Sequence, residues 1–167
     1  MADHCEKCFS VSSNIPPVSI ESQERELFAV WDRISARERE VGFASLDHAD
    51  RIFAAIWKLE AELNNGGFSQ WMFNSDGDHA EFAVTALREV GANGAAAVCE
   101  RLFALLPGGR PSPDRDTRQG QLDAASEAVG EDAFEQACSA LEQEFYALED
   151  DLRDRLCAYS RAELSSV

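Results

Sequence analysis

From residue 21 onward the apolar positions recur at intervals of three and four, and strict alternation is nowhere sustained. That period gathers side chains on one face of a helix, so it predicts helices and no sheet. Leu27, Val30, Trp31 and Ile34 mark the first face, with Glu24, Arg25, Asp32 and Arg33 turned elsewhere. Ser19 or Ser22 is placed to cap this helix, which is expected to end near Val41-Gly42. Ala49, Ile52, Phe53, Ile56, Leu59 and Leu63 mark a second face after a cap at Ser45 or Asp47, and Trp57 widens it. Asn65-Gly66-Gly67 is expected to stop this second helix, because residues without Cβ allow the left-handed turn that ends many helices.

Phe68, Trp71 and Phe73 then carry large apolar area back toward a core. In the turn that follows, Asn74, Asp76 and Asp78 hold alternate positions of a calcium loop, but His79 and Thr85 stand where Gly and Glu are required. A helix start is the better expectation, with Asp78 as N-cap and Glu81 completing a capping box. Phe82, Ala83, Ala86, Leu87 and Val90 give this third helix its buried face, closed by Gly91. Asn93 is placed to cap a fourth, carrying Ala97, Val98, Leu102, Leu105 and Leu106, which Pro107-Gly108-Gly109 stops.

Residues 107–120 read as one long break holding Arg110, Arg115 and Arg118, either a disordered loop or a segment folded back onto the acidic remainder. Three further faces follow: Leu122, Ala125 and Val129; Phe134, Ala137, Cys138, Leu141 and Phe145; and Leu148, Leu152, Leu156 and Tyr159. The expected fold is all-α, a single-domain bundle of six or seven helices over residues 21–167. A disordered arm at 1–20, dominated by Ser, Asn and Pro16-Pro17, precedes it.

Charge changes the picture more than composition does. The chain carries 31 Asp and Glu against 15 Lys and Arg, a net charge of −16, which opposes direct binding to nucleic acid or an anionic membrane. No apolar run approaches the ~18–20 residues needed to span a bilayer. The first residues lack the basic start and apolar core of a secretion signal. Five cysteines, an odd and unevenly spaced set, fit reduced thiols and a cytoplasmic location. Cys5 and Cys8 form a lone C-x-x-C with no second pair to complete a zinc site, and Cys99, Cys138 and Cys157 stand singly within helical patterns as buried thiols.

Catalytic chemistry is hard to assemble from this chain. His4, His48 and His79 are scattered, and no nucleophile elbow, phosphate loop, dinucleotide fingerprint or paired-histidine metal motif occurs. No catalytic residue, metal or cofactor is expected. The acids are the more promising feature, since residues 121–167 hold twelve of them against Arg153, Arg155 and Arg161. Carboxylates four residues apart on a helix are separated by about 6 Å of rise, close to the spacing of phosphates along a strand, so an acidic helical face can imitate a duplex. Glu142, Glu149, Asp150, Asp151 and Asp154 are expected to form such a partner-binding surface, although the middle three also suit the first turn of a helix. The alternative is a small-molecule-binding or hydrolytic protein with a polar pocket near Asn65 and Gln70. Asn64 and Asn74 would add further amides to it, unless all four serve to satisfy helix-end backbone groups.

The run Leu59-Glu60-Ala61-Glu62-Leu63-Asn64-Asn65-Gly66-Gly67-Phe68-Ser69-Gln70-Trp71-Met72-Phe73-Asn74, followed by Gly77, Ala86-Leu87 and Val90-Gly91-Ala92, resembles the signature of the DNA-mimic-protein-like domain family. Phe145-Tyr146 before Glu149-Asp150-Asp151 is similar to that family's closing helices, and the likeness spans about residues 22–163. Trp71-Met72 departs from the usual aromatic pair. The resemblance implies an all-helical domain, commonly of unknown function, in a family named after an acidic dimeric member that mimics DNA and sequesters a transcription factor. On that resemblance a basic DNA-binding protein or transcription factor is the expected partner, and a homodimer an expected assembly. Asn64, Asn65, Gly66, Gly67, Phe68, Gln70 and Asn74 carry the signature, as structural or ligand-binding residues.

Overall fold

The computed structural model of the protein describes residues 20–148 and 152–164. The expected arm, with Cys5 and Cys8, and the acids Glu149, Asp150 and Asp151 lie outside the described residues. Among those described, seven α-helices and no strands form an all-α bundle: α1 (Ile20–Val41), α2 (His48–Phe73), α3 (Ala80–Glu89), α4 (Asn93–Phe103), α5 (Arg115–Val129), α6 (Glu131–Ala147) and α7 (Leu152–Glu163). Short 3-10 turns at Phe43–Ser45, Ser75–His79 and Pro107–Gly109 join some of them.

Helix α2 is the centre of the bundle and packs against α1, α3, α5, α6 and α7. Residues 52–56 are buried on every side, as a helix enclosed by neighbours requires. Leu59, Leu63, Phe68, Trp71 and Met72 continue the buried face beyond them. Each of these large side chains contributes roughly 1.5–3 kcal/mol when fully removed from water. Aromatic contacts extend the core outward. Phe68 meets Phe145 of α6 edge-on at 5.8 Å, and Trp71 lies 6.1 Å from Phe103 of α4. No helix of the described residues is long and apolar enough to cross a membrane.

Several local expectations change. The helix that begins after Asp47 does not end at Gly66-Gly67. It breaks there, with Gly66 at φ −169°, ψ 18° and Gly67 at φ 76°, ψ −168°, then resumes through Phe73. Asp78 does not cap α3, whose N-cap is His79 without a side-chain bond, because the Asp78 carboxylate is held by Arg118. Ala92 rather than Asn93 is the N-cap of α4. Ser22 lies inside α1, which already begins at Ile20. The break at 107–120 is shorter than expected, since α5 starts at Arg115 and Asp114 caps it by accepting from both the Thr117 amide and hydroxyl. Those two bonds also hold the Asp114 carboxyl below its usual pKa. Ala97, Leu105 and Val129, expected on buried faces, are exposed.

Candidate functional site

The signature residues surround the break in α2, and Gly67, Phe68, Gln70 and Asn74 each meet a partner there. A broken helix exposes free N–H groups where it resumes and free carbonyls where it ends. At the restart, the Phe68 amide donates to Glu142 Oε1 of α6 at 2.7 Å. A carboxylate there also opposes the positive end of the short helix that follows. Gly67 sits in the backbone region open almost only to glycine, and a Cβ on it would fall 2.1 Å from the Glu142 carboxylate. Across the break, Glu62 on the first half accepts from Gln70 Nε2 at 2.6 Å and from Asn74 Nδ2 at 3.0 Å on the second. Glu62 thus ties the two halves together.

The far end of α2 is closed by α5. Arg118 Nε donates to Met72 O at 2.6 Å, while its Nη2 donates to Asn74 O and to Asp78 Oδ1, each at 2.7 Å. Its Nη1 donates to Ser112 O at 2.7 Å, and the side chain is fully buried. Arg115 Nε and Gln119 Nε2 both donate to Phe73 O. The last carbonyls of α2 are therefore satisfied by one turn of its neighbour, with a cation at the negative end of the helix. Gly77 is required by this approach, since a Cβ there would lie 2.6 Å from Trp71 O and 2.8 Å from Arg118 Nε. In the sequence Arg118 is one of three arginines in a stretch that reads as a loop. Its burial follows from a helix start that the Pro- and Gly-rich composition concealed.

The amides do not converge on one pocket. Gln70 and Asn74 turn to Glu62, and they border an open groove of about 520 Å³ between α2, α5 and α6. Asn64 and Asn65 instead edge a separate cavity of about 560 Å³ between α1, α2 and α7. That cavity is floored by Leu27, Phe28 and Trp57 and flanked by the Glu24–Arg153 ion pair. Trp57 already stacks with Phe53 and with Trp31, at 5.9 Å each.

The acids divide in the same way. Glu142 serves the break in α2, and Asp154 accepts from Gln23 of α1. Asp76 is 3.4 Å from Lys58, and among the described residues no cluster of His, Cys, Asp or Glu is arranged to hold a metal ion. The thiols of Cys99, Cys138 and Cys157 are free and buried, and burial raises the pKa of each, which keeps them protonated and unreactive. On the outer surface of α5 and α6, by contrast, Asp123, Glu127, Glu131, Asp132 and Glu135 are exposed and make no ion pair within the described residues. The signal for this face was present in the chain: residues 119–152 contain ten acids and not one Lys, Arg or His.

Comparison with known proteins gives one match. Residues 44–163 fit the model of the DMP19-like protein family, a span that contains the break in α2, both of its closures and the acidic helices. No curated protein and no solved structure matches the chain. With most of its length inside that family model, the chain belongs to the DMP19-like protein family.

Proposed function

We propose that this protein is a non-enzymatic acidic interaction protein whose α5–α6 surface takes the place of DNA on a basic DNA-binding protein, such as a transcription factor. The observation that supports this reading is the base-free run 119–152, in which five exposed carboxylates on α5 and α6 make no ion pair among the described residues. Asp123 and Glu127 are four residues apart, as are Glu131 and Glu135, so each pair repeats at about 6 Å along its helix. Negative charges at that spacing attract the lysines and arginines that otherwise neutralise phosphates. Family membership agrees with this reading. Of the acids expected from sequence alone, Glu149, Asp150 and Asp151 extend the same base-free run, whereas Glu142 is committed to the fold.

The test is capture of purified DNA-binding proteins by the immobilised protein. Binding is expected at low salt, with steep loss as salt rises and release by added duplex DNA, because both occupy one basic surface. A triple variant, Asp123→Asn with Glu127→Gln and Glu135→Gln, is expected to bind weakly while folding normally. Retention that ignores both salt and competing duplex defeats the reading.

A further inference from the structure

The acidic surface is not only charged. Between α2, α5 and α6 lies the open groove of about 520 Å³ whose apolar lining comes from Phe73, Leu122 and Phe134 and whose acids are Asp123, Glu131 and Glu135. Phe73 is 51% exposed, although Trp71 and Met72 just before it are buried. Its carbonyl is used by Arg115 and Gln119, its side chain lines the groove, and the Arg115 guanidinium lies 5.8 Å from the ring. A surface made only to repel its own kind or to stay soluble has no need of an exposed phenylalanine beside unpaired carboxylates.

We propose that this groove docks one basic amphipathic helix of the partner protein, its apolar stripe on Phe73, Leu122 and Phe134 and its flanking lysines or arginines on Asp123, Glu131 and Glu135. The proposal rests on the acidic-interface reading and specifies which element of the partner enters it. Charge complementarity selects this occupant, since a second copy of a chain with net charge −16 would bring acid against acid. Spacing selects a helix. Glu131 and Glu135 repeat at four residues on α6, and bases four apart on a helix laid alongside have the same rise of about 6 Å. Apolar residues recurring at three and four on such a helix present the single stripe that a three-helix groove accepts. DNA itself offers no apolar stripe, so this surface does more than imitate phosphates.

The test uses the full protein and two synthetic peptides of about 18 residues, roughly five helical turns. Both have the same Leu, Lys and Arg content, one arranged with leucines on one helical face and the other scrambled. Calorimetry at low salt is expected to show the amphipathic peptide binding at least tenfold more tightly than the scrambled one, with a gain of helical circular dichroism. Phe73→Ser is expected to remove most of that difference, and Glu131→Gln with Glu135→Gln to weaken both peptides. Equal affinity for the two peptides overturns the groove while leaving the acidic interface standing. So does an undiminished difference in Phe73→Ser. Retention of a DNA-binding protein by a variant that has lost both peptides also overturns it. Absence of any salt-dependent binding, to peptides and DNA-binding proteins alike, removes the interface reading as well.

Discussion

Helices α1 and α7 pack together, as do α5 and α6, and the two pairs hold the same number of acids. In the first pair, α1 has six acids and four bases, α7 two acids and three bases. In the second, α5 has three acids and two bases, α6 five acids and no base. Across the α1–α7 seam the charges find each other: Arg153 reaches Glu24 at 2.9 Å and Arg161 reaches Glu26 at 2.6 Å. On α5 and α6 the buried Arg118 is consumed by the end of α2, Glu142 holds the Phe68 amide and Glu144 meets Arg101 of α4, while Asp123, Glu127, Glu131, Asp132 and Glu135 have no ion pair among the described residues. The net charge of the chain is thus a poor description of its surface. Where bases are interspersed most acids join helices; where bases are withheld several are left exposed, and Asp123, Glu131 and Glu135 border one groove.

This contrast can be broken from the side of the fold first. Arg118→Met is expected to cause the largest change, about 3–5 kcal/mol in denaturant unfolding, because it strands Asp78 and the Met72 and Asn74 carbonyls. Gly67→Ala comes next, at about 1–3 kcal/mol, since an L-residue is strained at its backbone angles and the new Cβ displaces Glu142 from the Phe68 amide. A loss below the error of the measurement for either variant removes the claim that the signature is held from both ends. In the α1–α7 seam, a double-mutant cycle on Arg153 and Glu24 is expected to give only about 0.2–1 kcal/mol, because both side chains are part-exposed. Neutralising Asp123, Glu127 and Glu135 is expected to shift stability by no more than about 0.5 kcal/mol while removing partner binding. A large stability loss there would show that these acids serve the bundle after all.

The smallest effect concerns pH. His79 stacks on Phe43 with ring centroids 3.9 Å apart, and burial, aided by nearby Lys58, lowers its pKa. The unfolded chain therefore binds a proton at a pH where the folded one does not, so stability rises with pH through that interval. The contribution is complete above the ordinary value of 6.5 and is lost as pH falls through the lower folded value. His79→Gln is expected to flatten the slope of unfolding midpoint against pH between the lowered folded value and 6.5, and an unchanged slope would assign it to other groups.

Ile52, Phe53, Ile56, Leu59 and Leu63 lie in the core where their spacing puts them, because a helical period is a local property of the chain. The Gly-Gly pair was legible as a departure from helix for the same reason, and the family signature around it pointed to the fold. Its continuation through Phe73 was not legible. Whether a helix stops or resumes after a break depends on what meets its free amides and carbonyls, here Glu142 and Arg118, which are 74 and 46 residues distant in sequence from the atoms they contact. The acids show the same division. Sequence alone determined that the protein is strongly acidic and that one stretch lacks bases. Only the tertiary structure decided that Glu142 works inside the fold while Asp123, Glu131 and Glu135 border a groove, because a carboxylate's role is set by whichever donor the packing of other helices brings to it.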